Sequence, residues 1–75
     1  MWNKLKDPIK QLKVGNKIKE IVNEIEEVYN VYEVEYDQFK IELLTKNNVP
    51  VKDKIQITMT PEQILKYEFL IEKIL

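Results

Sequence analysis

Asn16–Asn30, NKIKEIVNEIEEVYN, is the stretch on which the reading of the whole chain turns. Its apolar residues Ile18, Ile21, Val22, Ile25, Val28 and Tyr29 follow the i, i+3, i+4, i+7 template of one helical face, and Asn16 stands where an N-cap belongs. The spacing predicts a helix over residues 16–30. Its charges run the other way. Lys17 and Lys19 would sit at the positive end of the helix dipole and Glu26 and Glu27 at the negative end, while Glu20 and Glu24 would form a like-charge i, i+4 pair. Each placement costs a few tenths of a kcal/mol, less than burial of the apolar stripe returns.

Upstream, Trp2, Leu5, Ile9 and Leu12 recur at steps of three and four among Lys4, Lys6, Lys10 and Lys13, which describes a short basic amphipathic element. Asp7 is a suitable N-cap and Pro8 a suitable first helical residue, so helical turns are expected from Pro8 to Gly15. On one continuous rod this stripe would point roughly opposite to that of Ile18, Ile21 and Ile25. The chain must therefore bend at Gly15, or the first stripe is left for something outside the domain.

Downstream the period changes to two. Tyr32, Val34 and Tyr36 alternate with Glu33 and Glu35, and Phe39, Ile41 and Leu43 with Lys40 and Glu42. A hairpin turning at Asp37-Gln38 would set Tyr36 against Phe39, Glu35 against Lys40 and Val34 against Ile41, although Asp-Gln lacks the glycine that tight turns favour, so a longer loop or a bulge stays open. Thr45–Asp53 reads as the one long loop, with Pro50 disfavouring a central strand. Ile55, Ile57 and Met59 alternate as a third strand. Thr60, Pro61 and Gln63 then form a capping-box start for a closing helix over residues 61–75. On that helix Ile64, Tyr67, Leu70, Ile71, Ile74 and Leu75 make a broad stripe and Leu65 and Phe69 a separate flank.

These readings predict an α+β fold in the order α-β-β-β-α. Residues 16–75 form a single domain, a three-stranded antiparallel sheet packed on one face by two helices, and residues 1–15 form a short basic N-terminal arm. Its core would draw on Ile18, Ile21, Val22, Ile25, Val28, Val34, Ile41, Leu43, Ile55, Ile57, Ile64, Ile71 and Ile74. Seventy-five residues allow one domain, whose burial of only roughly 60% of the unfolded surface leaves a thin margin of stability that oligomerisation would widen.

Composition prunes function. The chain has no Arg, His, Ser, Cys or Ala. Imidazole, thiol and serine hydroxyl, the usual nucleophiles, general bases and soft metal ligands, are therefore missing, and so is the guanidinium fork that captures phosphate. The acids Glu20, Glu24, Glu26 and Glu27 match no metal loop, and there is no glycine-rich phosphate cradle. No catalytic residue, metal or cofactor is expected. The first apolar run long enough to span a bilayer, ~20 residues, never arrives, no leader pattern opens the chain, and a cysteine-free composition fits the cytoplasm.

The net charge of −1 is unevenly spread, with +5 over residues 1–19 and −7 over residues 20–42. What remains is binding. The expected function is a non-catalytic protein-binding module, a small regulator or inhibitor of the kind common among phages and mobile elements, acting alone or as a homodimer. Its expected contact residues are Trp2, Leu5, Ile9, Leu65 and Phe69, an apolar surplus beyond what one core needs. The alternative is a nucleic-acid-binding domain that uses Lys4, Lys6, Lys10, Lys13 and Lys17 against phosphates, although Lys66 and Lys73 are the only bases of the closing helix. Strand aromatics such as Tyr32, Tyr36 and Phe39 suit a core better than base stacking. A membrane-surface role for the basic arm is a third, less favoured class, because the arm is short and Asp7-Pro8 interrupts it.

Overall fold

The computed structural model describes residues 1–72. The elements run β1 (Trp2–Lys4), α1 (Pro8–Gln11), β2 (Lys17–Val22), β3 (Ile25–Val34), β4 (Phe39–Lys46), β5 (Val49–Pro50), β6 (Gln56–Met59), α2 (Pro61–Lys66) and β7 (Leu70–Glu72). All pairings are antiparallel, in the order β1-β7-β2-β3-β4-β5, and β6 shares with β5 the edge of β4 that β3 leaves open. The expected three-stranded sheet under two packed helices is thereby corrected to one seven-stranded sheet with two short helices.

The decisive difference lies in Asn16–Asn30, which is a hairpin and not a helix. Ile18, Ile21, Val22, Ile25 and Val28 satisfy a helical period, but all are β-branched and suit a pleated surface better. Asn23 (φ 51°) and Glu24 (φ 67°) form a two-residue turn with both residues left-handed, joining Val22 to Ile25. Charges that oppose a helix are used across the strands: the Lys19 ammonium lies 3.2 Å from the Glu26 carboxylate. The four acids that a helix would gather are dealt out instead, with Glu20 opposite Glu27 on one face, Glu24 in the turn and Glu26 on the other face.

The second hairpin has a different register from the expected one. Val34 pairs with Phe39, Glu33 with Lys40 and Val31 with Ile41, with Tyr32 as an extra residue on β3. This bulge moves the core face from Tyr32 and Tyr36 to Tyr29 and Val31, and Tyr36 stands fully in solvent. A matching extra residue, Leu44, lies on β4. The expected long loop is interrupted by a second left-handed pair, Asn47 (φ 49°) and Asn48 (φ 67°), which turns the chain into β5 with Pro50 at the sheet edge. Asn47 also ties the two hairpins together. Its N–H donates to the Glu26 carbonyl at 2.8 Å, and its Oδ1 accepts from the Glu26 N–H at 2.9 Å.

The closing helix starts as the sequence indicates, with the reciprocal Thr60–Gln63 capping box and Pro61 in the first turn. It stops after Lys66. Glu68 takes φ 54°, the left-handed geometry that ends helices, and the chain leaves as β7. The expected helix over 61–75 is thus a six-residue helix followed by a strand that fills the gap between β1 and β2. The expected roles of Lys73, Ile74 and Leu75 lie outside the described residues.

The core gathers on the side of the sheet facing α1 and α2. Leu5, Leu12, Ile18, Tyr29, Val31, Phe39, Ile41, Leu43, Ile64 and Phe69 are buried, and Val51, Met59 and Ile71 pack against them. Of the expected core, Ile21, Val22, Ile25, Val34, Ile55 and Ile57 are exposed; the hairpin carries Val22 and Ile25 beyond the covered part of the sheet, and Ile21 lies with Lys19 on its other face. The opening residues are woven in: β1 pairs with β7, Asp7 caps α1, and Leu5 and Leu12 enter the core.

Candidate functional site

The five apolar residues expected to meet a partner do not share one surface. Leu5 and Phe69 are core residues, and the Leu5 N–H donates to the Phe69 carbonyl at 3.1 Å. Trp2 is half-buried on β1, with the Lys19 ammonium 4.6 Å from its ring centre. Only Ile9 and Leu65 are well exposed. Lys4, Lys6, Lys10, Lys13 and Lys17 are all exposed, and none forms an ion pair among the described residues.

A different surface is concave. Where β2 outruns β7, a groove of about 410 Å³ opens between Ile21 and Val22 on one side and Tyr67, Glu68 and Leu70 on the other. Lys66 lies at its rim. A cavity of about 120 Å³ adjoins it, walled by Tyr29, Ile41, Ile57, Met59 and Phe69. Glu20 and Tyr67 line both spaces, so the two lie side by side in one depression of the surface.

Sheet geometry also leaves backbone groups available along this groove. The Val31 N–H donates to the Asn16 carbonyl, so Asn16, Ile18, Glu20 and Val22 direct their backbone groups to β3, while Lys17, Lys19 and Ile21 direct theirs the opposite way. β7 reaches Lys19 and no further. The N–H and carbonyl of Ile21 therefore lie on a stretch of strand edge that no strand covers among the described residues, beside an exposed side chain at 54%.

Glu20 gives the depression its charge. It stands on the core-facing side of β2, opposite Glu27, and has no ion pair or side-chain hydrogen bond among the described residues. Burial, and then the facing charge of Glu27, push its carboxyl above the usual glutamate range. Tyr29 is pushed up to about 12, first by burial and then by Glu27 and Glu20. Glu27 itself has Lys46 at 3.9 Å. Tyr29 and Phe69 meet edge to face, with ring centres 5.8 Å apart.

Glu20, Ile21, Met59 and Tyr67 were not among the residues that the sequence singles out for contact. Their juxtaposition depends on the 23–24 turn and on the exit of the chain at Glu68, three left-handed positions held by residues other than glycine. No family model, curated protein or solved structure matches the chain.

Proposed function

We propose that this protein is a non-catalytic protein-binding module, a small regulator or inhibitor whose partner lays an extended segment along the groove between β2 and the α2–β7 connection. The observation that carries the reading is the combination at Ile21: an exposed apolar side chain, an uncovered strand edge, and a groove faced by Val22, Tyr67 and Leu70. Extended segments add to such edges through main-chain hydrogen bonds and gain specificity from alternate side chains in neighbouring hollows. Contiguous apolar surface of this kind is a mark of interaction sites. The contact set thus moves from Leu5 and Phe69, which hold the core, to Ile21, Val22 and Tyr67. A cytoplasmic setting belongs to the same proposal.

Selection of displayed twelve-residue peptides on the protein, with counter-selection on Ile21→Asp/Tyr67→Ala, tests it. Enriched peptides with alternating apolar residues that lose binding to the folded double variant are the expected result. Enrichment that is indifferent to both substitutions refutes it, and sedimentation of the protein alone shows whether a second copy is the occupant.

Lys4, Lys6, Lys10, Lys13 and Lys17, without an ion pair among the described residues, support a second reading, an anionic partner such as a nucleic acid. Titration with labelled DNA and RNA at ~50 and ~200 mM salt decides it, since phosphate contacts must weaken steeply with salt.

A further inference from the structure

We infer that the cavity beside the groove receives an alkylammonium group, either the side chain of a lysine in a bound segment or a free primary amine. The first source rests on the groove reading; the second does not.

The walls and the single charge of the cavity fit this chemistry together. Ile41, Ile57 and Met59 are apolar and suit a methylene stem, while Tyr29, Tyr67 and Phe69 supply aromatic surface. Among the described residues, Glu20 is the only charged one of the lining. An ammonium brought there gains a carboxylate partner and ring electrostatics at once. The space, about 120 Å³, is on the scale of an ammonium with its last few methylenes.

The surroundings exclude an anion. Glu27 faces Glu20 across the strands, and Glu68 lies on the adjoining rim. The cations nearby are already placed. Lys19 belongs to the opposite face, between Glu26 and Trp2, Lys46 sits by Glu27, and Lys66 lines the outer groove rather than the cavity. An incoming ammonium therefore fills the one role the depression leaves open, a counter-charge for Glu20. Protonation of Glu20 would remove the attraction, with Glu27 and Glu68 contributing negative field, Lys66 positive field, and Tyr29, its phenol pushed up to about 12, neutral near pH 7.

The test is titration with n-butylammonium, 1-butanol and butyrate, followed by NMR at the Met59 methyl and the Ile57 amide. Saturable shifts with butylammonium are expected at a Kd in the millimolar range, with 1-butanol and butyrate weaker by about tenfold or more. Glu20→Gln, an isosteric change, should weaken butylammonium about tenfold and leave 1-butanol unaffected, with an unchanged fold by circular dichroism. Equal binding of the alcohol and the amine, an unaltered affinity in Glu20→Gln, or no saturable shift with butylammonium overturns the inference. A decapeptide of alternating apolar residues with one central lysine, against its norleucine counterpart, separates the sources. Tighter binding of the lysine peptide than of butylammonium assigns a partner's side chain, and tighter binding of butylammonium assigns a free amine. Binding of butylammonium alongside a failed peptide selection would retire the groove reading and retain this one.

Discussion

Replacing Glu24 with glycine should stabilise the protein, and the sign of that effect tests the fold at its most contested point. Glu24 holds φ 67° in the turn between β2 and β3. A left-handed conformation costs an L-residue roughly 1–2 kcal/mol, whereas glycine adopts it without strain. Glycine returns part of that gain, about 0.4–1 kcal/mol, through the greater freedom of the unfolded chain. The net expectation is a stabilisation of roughly 0.5–1 kcal/mol. In the helix that the periodicity of residues 16–30 suggests, the same substitution would remove roughly 0.5–1 kcal/mol, because glycine is among the poorest interior residues. Urea unfolding followed by circular dichroism reads the difference. With a slope of about 1 kcal/mol/M for a domain this small, the midpoint should rise by about 0.5–1 M at constant slope. Glu24→Ala controls for the loss of charge, since it keeps the Cβ and should bring no such rise. A midpoint that falls in Glu24→Gly would refute the hairpin.

Four further outcomes follow from particular contacts. Phe69→Ala should cost about 3–5 kcal/mol of stability while Leu65→Ala stays near the ~0.5 kcal/mol typical of surface changes, because Phe69 is 1% exposed and Leu65 45%; chemical denaturation of both variants checks the contrast. Asn47→Ala should cost about 1 kcal/mol and speed hydrogen exchange at the Glu26 amide, which loses its Oδ1 acceptor. Glu20→Gln should stabilise at pH 7 and lose that advantage on acidification. The folded carboxyl binds its proton more tightly than the unfolded one, so wild-type stability falls as pH rises from the usual glutamate value through the raised one, and a pH series of urea midpoints measures it. For the Tyr29 phenol, pushed up to about 12, the unfolded state releases its proton first, so stability should drop above pH 10 by an amount that Tyr29→Phe removes.

Local chemistry was legible wherever one residue and its near neighbours settle the outcome. Asp7-Pro8 and Thr60-Pro61-Gln63 start helices as read, since a cap needs only the side chain and the first free N–H groups. The alternation of Phe39, Ile41 and Leu43 marks a strand with one buried face. The candidate depression was not legible. Its residues come from β2, β3, β4, β6 and the exit of α2, and no spacing within one element brings them together. Leu5 and Phe69 looked surplus because two long helices would have left them uncovered, while the actual sheet encloses both.

By itself the amino-acid sequence determined the helix caps, the unequal halves of charge and a side-chain inventory without imidazole or thiol, because these reside in single residues or in neighbours a turn apart. Only the tertiary structure decided what Asn16–Asn30 becomes. Its apolar residues follow the helical period while their β-branching suits a pleated surface, and the choice passes to the neighbouring strands: β4 satisfies the backbone of β3 along most of its length and β7 meets β2 at Ile18 and Lys19, a gain available only once those strands have met. The same long-range pairing ends α2 at Lys66 and leaves Ile21 beyond the reach of β7, which is how the groove comes to exist.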